Sequence, residues 1–320
     1  MIFVLWVMNA HVIQRNLLIS WCLMTQISCC ALVTRFADLR VAESAGLLAR
    51  HLASRGLITL ALEDQSEALA GLPLTFVSEA TLVSQAQLFI AIGGDGTLLY
   101  AAGLVAGLGT PLLGINRGRL GFLTDVMPEQ MLSSVDAALD GQCVIDERPL
   151  LSAEYFGLNG QQAKGLALND IVMQKTQSGH LIDFETWING RFVNSHGGDG
   201  LVVATATGST AYALACGGPI VEPELDVIVI APICPHTLSD RPIVVSGRSI
   251  LEVRILERPD ASAEIACDGR PLATLSPGDR LIVRPASEKI LLLHPIGYDY
   301  YRLLRSKLNW GRRNFDAASS

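Results

Sequence analysis

The sequence predicts a two-part fold: an α/β N-terminal domain built on a parallel, Rossmann-like sheet, followed by an all-β C-terminal domain. Three observations predict it. Up to residue 148, short apolar runs alternate with stretches of helical spacing, the pattern of strands covered by helices. Beyond that point the runs become short, β-branched and turn-bounded. Between residues 88 and 107, "LFIAIGGDGTLLYAAGLVAG" sets a strand, a glycine turn and a helix in direct succession. Such a turn sits at the carboxyl edge of a parallel sheet, where ligands of open α/β folds bind.

The elements follow in order. "CALVT" (30–34) reads as a buried strand. "VAESAGLLARHLASRG" is a helix with Ala42, Leu47, Leu48 and Leu52 at helical spacing and Gly56 as its C-cap. "LITLALE", "QAQLFIAIGG" and "TPLLGIN" are further strands, and "TLLYAAGLVAG" is a helix. "PEQMLSSVDAALDGQ" is a helix with Pro128 in its first turn and Gly141 past its end. From residue 149 onward "PLLSAEYFG", "QAKGLALNDIVMQK", "HLIDFETWINGRFV", "GLVVATAT", "LDVIVIAPI", "RPIVVS", "SILEVRIL", "AEIACDG", "DRLIVRPA" and "KILLLHPI" read as strands. The "NG" pairs at 159–160 and 189–190 signal hairpins. The expected domains are 29–148 for the α/β part and 149–296 for the β-rich part. The helix in 297–320, with Tyr298, Tyr301, Leu304 and Leu308 on one stripe, is expected to pack back on the first domain.

Residues 1–28 read as an extension outside both domains. His11, Gln14, Arg15 and Asn16 interrupt its apolar run, which never reaches the ~20 residues of a membrane span. It also lacks the basic start and small-residue cleavage site of a signal peptide. One reading starts the globular chain at Met24, which would make residues 1–23 dispensable. Half of the 320 residues are hydrophobic and the net charge is −7. That balance argues against nucleic acid or an anionic membrane as the main partner. The seven cysteines are odd in number and contain no CxxC pair, so reduced thiols and a cytoplasmic setting are expected.

The glycine turn "GGDGT" is neither a P-loop nor a GxGxxG motif. Its distinctive residue is Asp95. Gly93, Gly94 and Thr97 around it are candidate phosphate contacts through free helix N-terminal amides, as is Arg117 in "GINRGRLGFLTD". Asp95 either caps the helix, or takes a proton from an attacking hydroxyl, or shares a metal with phosphates. In the same segment, Arg119 is a second cation and Phe122 a candidate stacking ring. In "LALNDIV", Asn169 and Asp170 interrupt an apolar strand, where a polar pair is costly unless satisfied. "GDGLVVATATGSTAYALACGGPIV" ends a strand at Thr205 and then crowds Thr207, Gly208, Ser209, Thr210, Ala211 and Tyr212 together. Small side chains there let a flat ligand lie against the chain.

Taken in order, "GGDGT", "GINRGRLGFLTD", "ND", "DGLVVATATGSTAYALACGGPI", "PICPHTLSDRPIVV" and the tail "HPIGYDYYRLLRSKLNWG" resemble the NAD kinase family, Gram-negative members in particular, over residues 31–312. The ordered set is far more specific than any one motif. The resemblance implies phosphorylation of the 2′-hydroxyl of the adenosine ribose of NAD by ATP, giving NADP. It implies Asp95 as general base with Gly96 against the substrate. Asn169 and Asp170 would contact the ribose and adenine. His180 and Asp199 would lie along the NAD path, and Thr210, Ala211, Tyr212 and Ala215 would line the nucleotide site. It further implies a divalent cation, Mg²⁺, and a homodimer or homotetramer.

Two positions depart from the family pattern. Ala206 stands where proline is usual, and Gly197 where an arginine is common. Gly197 has two readings: a turn residue needing positive φ, or a widened donor channel that admits inorganic polyphosphate alongside ATP. The alternative function is a lipid kinase of the diacylglycerol or sphingosine type, which shares the GGDGT loop. It gives no reason for the "GSTAY" and "ND" elements. A non-catalytic NAD-sensing regulator is a third class, and it would have no need of Asp95.

Overall fold

The computed structural model of the chain describes residues 27–34, 39–118, 121–176, 181–237, 239–257 and 261–309. Residues 1–26, Arg119, His180 and the segment 310–320 therefore lie outside the described residues. The chain forms two compact units. Unit 1 takes the residues up to Glu147 together with those from Leu291, and unit 2 spans Arg148–Ile290.

Unit 1 contains β1 (Cys29–Thr34), α1 (Leu39–Ser54), β2 (Ile58–Leu62), β3 (Thr75–Val77), α2 (Glu79–Gln85), β4 (Leu88–Ile92), α3 (Asp95–Val105), β5 (Pro111–Ile115) and α4 (Met131–Leu139). The strands run parallel in the order β3-β2-β1-β4-β5. β1, β4 and β5 are buried at every position, so both faces of the sheet are covered. One layer of the core joins Leu32, Leu48, Ile90, Leu113 and Val135 from strands and helices alike. Gly56 and Gly141 end α1 and α4 with φ of +75° and +71°, the left-handed conformation a helix stop favours. The sequence reading passes over β3 and α2. Ser78 caps α2 by accepting from the Thr81 N–H, a signal available in "SEAT".

β6 (Cys143–Phe156) leads the chain into unit 2, which is antiparallel throughout. There follow β7 (Gln162–Ala167), β8 (Asp170–Lys175), β9 (Ile182–Ile188), β10 (Arg191–Gly198), β11 (Gly200–Thr205), the helical turn α5 (Tyr212–Ala215), β12 (Val227–Ile233), β13 (Ile243–Ser246), β14 (Leu251–Ile255), β15 (Ala263–Cys267), β16 (Arg270–Leu275) and β17 (Arg280–Pro295). One sheet has the order β13-β12-β11-β8-β15-β16. β10, β9, β14 and the first residues of β17 pair in a second. Leu151, Ile171, Phe184, Leu201, Val253, Ile265 and Val283 from both sheets share one core. On the opposite face of β11, Val202 and Ala204 meet Ala206, Ala213 and Val221. That explains why "GLVVAT" is apolar without alternation. Asn189 and Gly190 have φ of +51° and +74°, as the two-residue turn joining β9 to β10 requires.

Three sequence expectations change. "QAKGLALNDIVMQK" is two strands, broken at Leu168–Asn169, so the polar pair marks a strand end rather than a strand interior. "DRLIVRPA" and "KILLLHPI" form the single strand β17, whose last residues Leu291–Leu293 return to unit 1 and run parallel to β5. The C-terminal helix is α6 (Tyr300–Leu308), capped by Asp299, which accepts from the Tyr301 and Arg302 N–H groups. It buries Leu303 and Leu304, while Tyr301 and Leu308 stay exposed. No helix among the described residues is long and apolar enough to cross a membrane.

Gly114, in the middle of β5, shows how closely the elements seat. A Cβ there would fall inside contact distance of Leu98 on α3 and of the Leu123 carbonyl oxygen. Gly114→Val should therefore cost about 1–3 kcal/mol by overpacking. Thermal denaturation of the purified variant measures it, and an unchanged Tm would contradict this seating.

Candidate functional site

Asp95 is the first residue of α3, with Gly94 as N-cap. Gly94 and not Asp95 occupies the cap position, and the carboxylate of Asp95 bonds to residues 122–124, so the capping reading of Asp95 does not hold. Gly93 cannot carry a side chain, because a Cβ would strike the Thr97 side chain folded over it. The Asp95 carboxylate turns to the segment after β5. Its Oδ2 accepts from the Phe122 N–H at 2.9 Å. Its Oδ1 accepts from the Leu123 N–H at 3.0 Å, the Thr124 N–H at 3.2 Å and the Thr124 hydroxyl at 3.2 Å. The segment is itself tied down. Gly121 N–H donates to the Thr124 carbonyl, and Asn116 Nδ2 reaches Thr124 as well. A Cβ on Gly121 would collide with Asp95 Oδ1, so Phe122–Thr124 form a nest of amides fitted to one carboxylate.

This changes two expectations. Phe122 contributes its backbone N–H, and its ring lies 5.7 Å from the Lys307 ammonium. Asp95 is not a bare anion beside phosphate amides but a fixed one, with one donor at Oδ2 against three at Oδ1. A cavity of about 720 Å³ in unit 1 is lined by Asp125, Tyr298, Arg302 and Lys307. None of the sequence-predicted site residues lines it.

In unit 2 the structure brings Asn169, Asp170, Gly208 and Tyr212 together. Asp268 accepts from the Leu168, Asn169 and Asp170 N–H groups at 2.7, 2.8 and 3.1 Å. It thereby shapes the break between β7 and β8. Thr205 clasps the other side, donating its hydroxyl to the Leu168 carbonyl at 2.6 Å and accepting from the Gly208 N–H. Gly208 lies so close to the Asn169 backbone that no Cβ fits. The Asn169 Oδ1 is buried with no hydrogen-bond partner among the described residues. An orphan of this kind costs about 1–3 kcal/mol, which suits an atom kept for a ligand. Asp199 pairs with Lys175 at 2.6 Å. The Tyr212 hydroxyl is pushed up by burial and then by the charges of Cys216, Cys234, Asp199 and Asp170. Thr210 and Ala211 are half-buried, and Ala215 is exposed on the same turn.

Sequence reasoning missed Asp268 and Lys175. Asp268 carried a signal: "CDG" places an aspartate before glycine at a strand end, and its φ is +48°. Lys175 carried none, being one of many lysines at a strand end. Gly197 lies in β10 without positive φ, so the turn reading of this glycine is wrong. A Cβ there would meet only Asp183 Oδ1, at 3.1 Å. The glycines that need to be glycine are its neighbours Gly198 and Gly200, each against backbone. Ala206 has φ of −56°, within reach of proline, and is held by burial in its core cluster. Among the described residues no three of His, Cys, Asp or Glu gather as a metal cage.

Burial, and then the charge of Asp268, raise the Asp170 carboxyl to about 7, against a hydrogen bond from the Tyr212 N–H. The folded chain thus holds a proton that the unfolded chain releases near its ordinary value. Stability falls as pH rises between those two values and stays lowered above about 7. Asp170→Asn removes this burden. Its Tm should exceed wild type at about pH 8, and the gain should shrink towards about pH 5. Thermal scans across that range check it, and a gain that grows at low pH would contradict it.

Two family models match the chain: the ATP-NAD kinase N-terminal domain over residues 61–143 and the ATP-NAD kinase C-terminal domain over residues 168–294. An NAD kinase of Pseudomonas putida (strain W619) is 43% identical over 282 residues, covering 88% of this chain and 95% of that protein. An NAD kinase of Nitrosococcus oceani is 44% identical over 283 residues, covering 88% and 96%. Among solved structures, yeast NADH kinase complexed with NADH matches with a TM-score of 0.84 at 24% identity, covering 91% of this chain and 90% of that one. An Archaeoglobus fulgidus NAD kinase in complex with ATP matches with a TM-score of 0.67 at 25% identity, covering 88% and 98%. With both domain models matched in order, and relatives this similar along nearly their whole length, the chain belongs to the NAD kinase family.

Proposed function

We propose that the protein transfers the terminal phosphoryl group of ATP to the 2′-hydroxyl of the adenosine ribose of NAD, giving NADP and ADP. Family membership supports the reaction class, and the archaeal relative's complex with ATP supports the donor. The observation that carries the mechanism is the Asp95 carboxylate, held by four donors with Oδ2 the less occupied oxygen. In the proposed step the 2′-O–H bond breaks and its proton passes to Oδ2. The oxygen forms a bond to the γ-phosphorus, and the bond from that phosphorus to the β–γ bridging oxygen breaks, releasing ADP. Phosphoryl transfer asks the protein mainly for positioning and charge stabilisation, so a base fixed in one orientation suits it.

The base is assigned to unit 1 and the nucleotide contacts to unit 2. Asn169 Oδ1, Asp170, Thr210, Ala211, Tyr212 and Ala215 serve the adenosine, with Gly96 against the substrate at the helix start. Asp199 accepts from the carboxamide NH₂ of NAD, oriented by Lys175. His180 is assigned to the same path. Gly93, Gly94, Thr97 and Arg117 are assigned to phosphate. The Mg²⁺ of this reaction is proposed to arrive on the phosphates of ATP, as its preference for phosphate and water ligands favours. A cytoplasmic setting and a homodimeric or homotetrameric state complete the proposal. The lipid-kinase alternative rests on the shared GGDGT loop and a β-rich second domain, and both matched domain models favour NAD kinase instead.

Asp95→Asn keeps the shape and removes the base. Its kcat should fall by on the order of 10²–10⁴, with NAD binding retained. NADP production followed with a coupled dehydrogenase measures the first and calorimetry the second. A near-wild-type kcat would overturn the role.

The donor range is tested at Gly197. This glycine has no positive φ to serve, and an arginine in its place would set a fork of donors beside Asp183. Wild type is expected to form NADP from inorganic polyphosphate as well as from ATP. Gly197→Arg should lose the polyphosphate reaction selectively. Absence of polyphosphate use in the wild type, or an equal loss with both donors, would refute the widened channel.

A further inference from the structure

His294 lies at the end of β17 and is buried to 1% exposure. Its Nδ1 donates to Asp125 Oδ2 at 2.9 Å, and its Nε2 lies 3.4 Å from Asp146 Oδ2. Its ring stacks on Tyr298, with centroids 3.9 Å apart and planes 14° from parallel. Three separate pieces of chain meet on this one imidazole: the segment after β5, the start of β6 and the turn before α6. The ring hydrogen-bonds one carboxylate through Nδ1 and faces a second within ion-pair distance of Nε2. Burial alone would push its pKa down, but the hydrogen bonds and charges of Asp125 and Asp146 outweigh that and leave it raised. The second oxygen of Asp125, Oδ1, is buried with no hydrogen-bond partner among the described residues. The Asp125 charge is therefore committed to His294.

Asp125 directly follows Thr124, and the N–H groups of Phe122, Leu123 and Thr124 are the donors that hold Asp95. On its other side the segment is anchored by the Asn116 N–H to the Val126 carbonyl at 2.8 Å. A tie at residue 125 therefore sets where three amides point, and with them the rotamer of Asp95.

We propose that His294 is a positioning residue for the reaction: through Asp125 it fixes the Phe122–Thr124 amides, and through them it aims the Asp95 carboxylate. The kinetic part of this proposal rests on the reading of Asp95 as the base. The geometric part does not.

The test uses the full chain. His294→Phe keeps a ring on Tyr298 and removes both donors, whereas His294→Asn keeps a donor near Nδ1. Hydrogen–deuterium exchange of a peptide covering residues 116–127 reports the amides directly, and steady-state kinetics with NAD and ATP report the base. His294→Phe should speed exchange in that peptide and lower kcat by about tenfold or more, with KM for NAD within about twofold, since small misplacements of a reacting group carry large rate costs. His294→Asn should recover much of both. A folded His294→Phe with wild-type exchange in that peptide, or with its loss in KM for NAD, overturns the proposal. Should that variant not fold, Asp125→Asn decides by the same two readouts, and unchanged exchange and kcat overturn it equally. If the wild-type protein forms no NADP, the assigned activity fails, and the exchange result alone settles whether His294 holds the segment.

Discussion

The functional organisation of unit 1 depends on one carboxylate and the four donors that face it. Asp95 is an anion that points away from its own helix and into a nest of backbone N–H groups. The nest exists only if the chain after β5 can approach within hydrogen-bond distance. That constraint explains the glycines around it. Gly121 leaves room for the carboxylate, Gly114 leaves room for Leu98 and the Leu123 carbonyl, and Gly93 leaves room for Thr97. Asn116, Thr124 and the His294–Asp125 pair then remove the freedom those glycines would otherwise confer. A base for phosphoryl transfer is useful in one orientation, and the role proposed for Asp95 rests on this arrangement.

Unit 2 uses the same pairing of a carboxylate with backbone donors to a different end. Here a carboxylate collects the backbone donors so that other polar atoms stay uncommitted. Asp268 takes the N–H groups of Leu168, Asn169 and Asp170. Thr205 and Gly208 close the opposite side. What remains is a buried amide oxygen on Asn169 and an Asp170 carboxyl with a strongly raised pKa. Burial makes both unfavourable, and hydroxyl or amine donors would relieve both. The ligand contacts proposed for both residues would offset that cost.

What the sequence by itself determined was the class of each half, the place of the glycine turn and the family. Period, turn chemistry and an ordered set of motifs are local properties, and local properties survive in a string. Thus the parallel alternation before residue 148, the Asn189–Gly190 hairpin and Asp95 at the head of a helix were all legible. Tertiary structure alone decided what Asp95 touches, because its donors lie 27 to 29 residues further along the chain. It decided that Asp268, about 100 residues from Asn169, shapes the polar pair. It decided that His294 meets Asp125 across 169 residues. It also decided that Gly197 is a strand residue while Gly200 carries the positive φ. The reason is physical: a composition of glycines and carboxylates states which conformations and charges are available, whereas the pairing of a charge with its donors is set by which strands lie side by side.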